Sequence, residues 1–248
     1  MDQQEKRLER ERHILTCAWK MVADQGFLVL KISELAKAAS VSVGTLYAHF
    51  ESKEDLIIAM AVDAWQAKLG FIEQVCRLEL DATERVVAIP IALYLFDRDN
   101  PAMFEAQQLA GVPSIWRKAS IQRHQSMLNL CGGFEAQLMT QVVAAVDAGG
   151  FTLTVDRQQG LDTIEYSQIA LAVANAYMSN LFLPEAEREE MQQRNQDCMP
   201  HFVMAVFKGF GLHRDDLLEL YQRLVARCEA LSPRREYPDC HKSVVSHR

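Results

Sequence analysis

Residues 32–56, ISELAKAASVSVGTLYAHFESKEDL, decide how this chain folds. Ile32, Leu35 and Ala36 recur at helical spacing and predict a short amphipathic helix over 32–38. Residues 39–42 make a tight turn with Val41 pointing inward, and Ser42 can cap the helix that follows. That second helix, 43–50, turns Leu46 and Phe50 toward the core, while Ala36 is small where the two helices cross. Two helices this short need a third, and the stripe Ile14, Leu15, Ala18, Trp19 and Val22 supplies it before a stop at Gly26. The outcome is a three-helix helix-turn-helix unit.

With those faces buried, Val43, Gly44, Thr45, Tyr47, Ala48 and His49 remain on the outside of the second helix. Gly44 and Ala48 keep its surface low, so its backbone can enter a major groove, and Thr45 can bond a base edge or touch a thymine methyl. Tyr47, His49 and Lys53 stand where side chains grip phosphate on the flanks. The run SKED at 52–55 then opens a long helix, with Ser52 accepting a free backbone N–H and Asp55 complementing the helix dipole. The N–H groups of that start add an anion site. Each residue also has a plainer reading: Tyr47 as core, His49 as a solvent-facing side chain, Lys53 as a helix-end charge.

Working outward, the chain has 248 residues, 49% of them hydrophobic and 24% charged, with 11 Gly and 7 Pro. That is the composition of a protein with packed cores, and it excludes wholesale disorder, collagen-like repeats and disulfide miniproteins. Apolar residues recur at three- and four-residue spacing without sustained alternation, so the predicted class is all-α. Beyond the long helix, which reaches about residue 76, further helices are predicted at 83–97, 102–110, 114–148, 162–183, 199–210 and 215–231. Pro90 should kink or restart the first of these.

The longest uninterrupted apolar run, 86–96, has 11 residues and contains Pro90. A bilayer span takes about 18 or more, so no membrane partner is expected. The start, MDQQEKRLERER, has no apolar segment of a secretory signal, and a cytoplasmic location is expected. Six cysteines are scattered without a CxxC pair, which reads as ordinary thiols in a reducing compartment.

The formal charge of −7 hides a partition. Residues 1–53 hold 8 basic and 7 acidic side chains, and the remainder 18 basic against 26 acidic. The two parts therefore face different partners. Domains are expected at 1–53 (helix-turn-helix with a basic N-terminal arm), 54–232 (helical) and 233–248 (a disordered tail). The arm, with Arg7, Arg10 and Arg12 between Glu5, Glu9 and Glu11, reads equally as a solvated helix face or as a segment lying along a minor groove.

With its turn, its GTLYxHF core and the SKEDL start of the next helix in order, the stretch at 10–60 resembles the N-terminal DNA-binding domain of the TetR family of bacterial transcriptional regulators. The resemblance implies a homodimer that places two recognition helices in successive major grooves of a near-palindromic operator. It also implies a larger C-terminal domain for ligand binding and dimerisation, with a small-molecule effector that releases the DNA. By their place in the motif, Ser42, Val43, Gly44, Thr45, Tyr47, Ala48, His49 and Lys53 are the candidate DNA-binding residues. Three positions depart from the family pattern: Lys31 where a capping Thr is usual, Ser40 in place of Gly in the turn, and Val43 in place of a polar or basic residue.

In the second part, Phe96, Met103, Phe104, Gln107, Trp116, His124, Met127 and Cys131 are the candidate lining of an apolar effector pocket, each also readable as plain core. The small-residue helix 162–183 with 199–210 suits a two-fold four-helix interface or an internal core. Cys240, His241 and His247 lack the rigid spacing of a metal site, and neither metal nor cofactor is expected. No nucleophile with an adjacent base, glycine-rich phosphate loop, paired carboxylates at metal spacing or HExxH occurs, so an enzyme is not expected. The reading is a transcriptional regulator, a repressor by the family's habit. The alternatives are an effector-independent activator or global regulator of the same fold, and an all-helical enzyme.

Overall fold

The computed structural model describes residues 2–179, 181, 183, 187 and 189–237. It is all-α: α1 (Gln3–Gln25), α2 (Ile32–Ala38), α3 (Val43–His49), α4 (Lys53–Cys76), α5 (Ala82–Asp99), α6 (Pro101–Ala110), α7 (Pro113–Trp116), α8 (Ile121–Asp147), α9 (Arg157–Met178), α10 (Glu189–Gly209) and α11 (Leu217–Glu229). Among the described residues the extended pairing is one isolated antiparallel bridge, Phe151 with Leu212. Gly211, at φ +80°, makes that bridge possible, because a Cβ there would lie 2.1 Å from the Thr152 carbonyl oxygen.

The chain divides into two compact units. The first takes in Met1–Trp65, Ala102–Leu128 and the chain from Arg235; the second takes in Gln66–Pro101 and Asn129–Arg234. The first unit thus recruits segments far from the N-terminal 53 residues in sequence.

In the first unit, Asp2 starts α1 with a reciprocal cap: its carboxylate accepts the Glu5 N–H at 2.7 Å and its own N–H reaches the Glu5 carboxylate at 2.8 Å. The arm at 6–12 therefore belongs to the opening turns of α1. The inward stripe Ile14, Cys17, Ala18, Trp19 and Val22 is buried, and Gly26 ends the helix at φ +80°. Against it lie Leu35 and Ala36 of α2, Leu46 of α3 and Phe50, all at most 2% exposed. Burial of a side chain of the Leu or Phe class contributes roughly 1.5–3 kcal/mol. Val41, expected to point inward, is half-buried.

In the second unit, α5 is buried on almost every side, including Pro90, and the helix runs continuously through that proline. Phe71 and Phe96 stack there at 6.2 Å between centroids, with the Lys68 ammonium 5.8 Å from the Phe96 ring.

Several predicted boundaries moved. The single helix expected at 114–148 is two, α7 and α8, separated at residues 117–120, because Pro113 starts one helix and Ser120 begins another. The helix expected at 199–210 begins at Glu189 and passes through Pro200, its face Met199, Val203 and Phe207 being buried enough to outweigh the lost backbone bond. The one expected at 162–183 runs from Arg157, after an Asp156 cap, to Met178.

Part of the tail expected to be unpacked is packed. Within the second unit, Pro233 accepts a 2.8 Å bond from the Asn100 amide. Within the first, Arg235 pairs with Asp63 at 2.6 Å and Tyr237 stacks on Trp19 at 6.0 Å. A guanidinium and a ring that cover a tryptophan hold a short segment that composition alone marks as loop. Residues 238–248, with Cys240, His241 and His247, lie outside the described residues.

Candidate nucleic-acid interface

The turn between α2 and α3 sets the geometry of this face. Ser40 adopts φ 54°, the left-handed conformation that glycine usually fills, and the Val41 N–H returns to the Ala36 carbonyl at 2.9 Å. Ser42 then caps α3, its hydroxyl accepting the Thr45 N–H at 2.9 Å and lying 2.8 Å from the Thr45 hydroxyl. Lys31, at the start of α2, makes no such side-chain bond and pairs with Glu34 at 3.0 Å instead.

With Leu46 and Phe50 inward, α3 presents Val43 (42% exposed), Gly44, Tyr47 (48% exposed) and Ala48 to the outside, with Thr45 half-buried among them. An added Cβ at Gly44 would meet only the Ser42 hydroxyl, at 3.8 Å, so the ridge is open above that position. The surface is low, apolar at its head and hydroxyl-bearing at its centre. It can approach base edges closely and contact a thymine methyl, and it has no forked donor for guanine.

Two residues assigned to this face by sequence sit differently. The His49 imidazole is only 5% exposed, its Nδ1 within 3.6 Å of the Glu11 carboxylate, so it belongs to the packing of α3 on α1 rather than to a phosphate-gripping rim. An outward reading failed because the ring packs beside Glu11, 38 residues away in the chain. Lys53 is half-buried, with Nζ donating to the Phe27 carbonyl at 3.2 Å, and this carbonyl is the partner its place at a helix N-terminus required. The arm also rests on the unit: the Arg7 guanidinium donates to the Ala48 carbonyl at 3.4 Å, while Arg10 and Arg12 are exposed.

Sequence reasoning missed the cluster that holds this helix in place. Asp55, 1% exposed, accepts the backbone N–H of Ser120 at 2.8 Å and that of Glu51 at 3.2 Å. Arg123 of α8 grips Glu11 of α1 at 2.6 Å, lies 4.0 Å from Asp55, and covers the Phe50 ring at 5.3 Å. Lys118 pairs with Glu54 at 2.5 Å, which keeps that carboxyl below its usual range, and its carbonyl accepts from the Ser52 hydroxyl at 3.2 Å. The helix-turn-helix is thereby fastened to residues 118–123 through α1, the end of α3 and the start of α4. The only sequence signal was Asp55, read there as a dipole partner.

The eight candidate pocket residues do not gather in one unit. Met103, Phe104, Gln107 and Met127 are buried in the first unit, where Trp116 and His124 stack at 4.4 Å and His124 Nε2 lies 2.6 Å from the Trp116 carbonyl oxygen. Phe96 and the half-buried Cys131 belong to the second. That unit has a cavity of about 400 Å³ lined by other residues of α5, α9, α10 and α11.

Residues 14–60 match the family described as bacterial regulatory proteins, tetR family. The fatty acid metabolism regulator protein of Bacillus subtilis (strain 168) is 25% identical over 158 residues, covering 61% of this chain and 78% of that protein. Among solved structures, a tetR-family regulatory protein from Rhodococcus superposes with a TM-score of 0.55 at 17% identity, over 83% of this chain and 98% of the other. The transcriptional regulator FadR from Bacillus subtilis, in complex with stearoyl-CoA, does so with a TM-score of 0.53 at 16% identity, over 80% and 98%. At those identities the structures speak for the fold, while the matched motif speaks for the DNA-reading head. Residues 14–60 thus carry the motif of the TetR family of bacterial regulatory proteins, on a chain whose fold is shared with a solved structure from that family.

Proposed function

We propose that this regulator is a repressor that binds a near-palindromic operator as a homodimer and leaves it when a small molecule binds its second unit. The carrying observation is the exposed ridge of α3: Val43, Gly44, Tyr47 and Ala48 stand outward, with Thr45 half-buried among them, on a helix capped by Ser42 and backed by a buried core. Thr45 and Tyr47 are its base and phosphate contacts, Ser42 and the low Gly44 and Ala48 bring the backbone close, and Lys53 stands at the flank.

Dimerisation has support in the outer faces of α9 and α10. Tyr166, Val173 and Tyr177 recur along α9 at 72%, 49% and 60% exposure, and Phe202 is 46% exposed on α10. A face this apolar at helical spacing suits a two-fold helical bundle with a second copy. Small-molecule control has support in the stearoyl-CoA complex of the similarly folded FadR. The effector is read as largely apolar; of the eight candidate contacts only Phe96 and Cys131 belong to the second unit, and Met103, Phe104, Gln107, Trp116, His124 and Met127 belong to the first. The protein acts in the cytoplasm, on DNA rather than as an enzyme.

The test is a gel-shift titration of the full chain on its own upstream DNA across a salt series. Sequence-selective retardation that weakens steeply with salt is the expected result. Retardation equal to that on scrambled DNA would overturn the reading.

A further inference from the structure

The second unit carries a cavity of about 400 Å³ between α5, α9, α10 and α11, within the range of about 300–1,000 Å³ that holds small molecules. Ile91, Leu95, Met199 and Val225 form apolar wall, and Asn175 of α9 and Asn195 of α10 face into it although each is only 4% exposed. None of the eight residues singled out by sequence lines it.

The two amides are held in a fixed network. Asn195 Nδ2 donates to Asn175 Oδ1 and, at 2.6 Å, to Ser179 Oγ, and Ser179 Oγ donates onward to the Tyr94 hydroxyl at 2.9 Å. Both protons of the Asn195 amide are thereby used. What is left is the Asn175 N–H₂ as donor and the Asn195 carbonyl as acceptor, neither with a hydrogen-bond partner among the described residues. The charged groups along the cavity are already matched: Arg98 pairs with Glu229 at 2.8 Å and forks onto Asp99 at 2.9 and 3.1 Å.

We infer that this cavity binds a neutral amphipathic small molecule whose polar end both donates and accepts, an amide or a hydroxyl on an apolar body. A carboxylate has no proton for the Asn195 carbonyl and meets Glu229, whose partner Arg98 is already also forked onto Asp99. An ammonium has no lone pair for the Asn175 N–H₂. A primary amide satisfies both groups at once, and its chain lies on the Ile91, Leu95 and Met199 wall.

Saturation-transfer NMR on the full-length protein with hexanamide, hexanoate and hexylammonium tests the assignment, since the three probes differ only in the head group. Blocking variants are Ala226→Trp and Gln222→Trp, both at exposed positions of α11 that line the cavity, with circular dichroism to verify the fold. Hexanamide is expected to bind at least tenfold more tightly than either charged probe, and either folded blocking variant is expected to lower its affinity tenfold or more. Equal binding of a charged probe overturns the ligand class. Hexanamide binding unchanged in the blocked variants overturns the location, and no hexanamide binding to the wild type overturns the site. Operator retardation, measured on the same samples, reports separately on DNA reading.

Discussion

The Asp55 carboxylate accepts the backbone N–H of Ser120, 65 residues away, at 2.8 Å while its other oxygen takes the N–H of Glu51. The side chain is 1% exposed, so these bonds are made out of water. Residues 51–55 and residues 118–123 both depend on this one group for their position.

Asp55→Ala removes the acceptor of the buried Ser120 N–H and of the part-buried Glu51 N–H. A cost of about 1–3 kcal/mol for each group so orphaned predicts a clear fall in unfolding free energy by urea titration. Asp55→Asn keeps one acceptor and turns a donor toward the other N–H, so an intermediate loss is expected. An Asp55→Ala protein as stable as wild type would show that the carboxylate does not fasten the segment.

Gly44→Ala separates stability from recognition. The added methyl meets nothing nearer than 3.8 Å, and alanine in place of glycine inside a helix stabilises by about 0.5–1 kcal/mol. The same methyl raises the ridge that approaches DNA. A higher melting temperature together with weaker operator binding in a gel shift is expected. Thr45→Ala should lower operator affinity by about 1–3 kcal/mol, the worth of a specific base contact, with little change in melting temperature.

The turn holds Ser40 at φ 54°, where a side chain costs about 1–2 kcal/mol relative to glycine. Ser40→Gly should therefore stabilise the first unit by about 1 kcal/mol, and Lys31→Thr, which supplies the side-chain cap that α2 lacks, by a similar amount. Differential scanning calorimetry of the two single variants and their combination checks both. The sites act on opposite ends of one short helix, so the effects are expected to be nearly additive.

Lys68 and Asp97 form a 2.6 Å ion pair in the second unit with side chains 5% and 10% exposed. Burial pushes the Asp97 carboxyl upward against the opposing pull of Lys68. Asp97→Leu alone strands a buried ammonium and is expected to cost about 3–5 kcal/mol, whereas Lys68→Met with Asp97→Leu should be neutral or stabilising. Urea denaturation of the single and double variants distinguishes these outcomes. A double variant as unstable as the single would show that the pair contributes more than mutual neutralisation.

The local code was readable. Helical spacing at Leu35, Leu46 and Phe50, the caps at Ser42 and Ser52, and the stop at Gly26 depend on neighbours within a few residues, so the sequence by itself determined the all-helical class, the three-helix head and the outward ridge of α3. Lys31 without a cap and Ser40 in the turn stood out as departures from the pattern of the resembled family, while the left-handed conformation of Ser40 is seen only in the structure.

What crosses the chain was decided only in three dimensions. The His49 ring packing beside Glu11, Asp55 taking the Ser120 N–H and thereby marking where a predicted 35-residue helix is interrupted, and Tyr237 settling on Trp19 each join groups tens to hundreds of residues apart. The Asn175–Asn195 amide pair is separated by 20 residues, and neither side chain signals its partner by spacing. Periodicity shows which face of a helix is buried. Which group meets it there is fixed by tertiary packing, because a hydrogen bond or an ion pair depends on distances of a few ångströms that the order of residues does not encode.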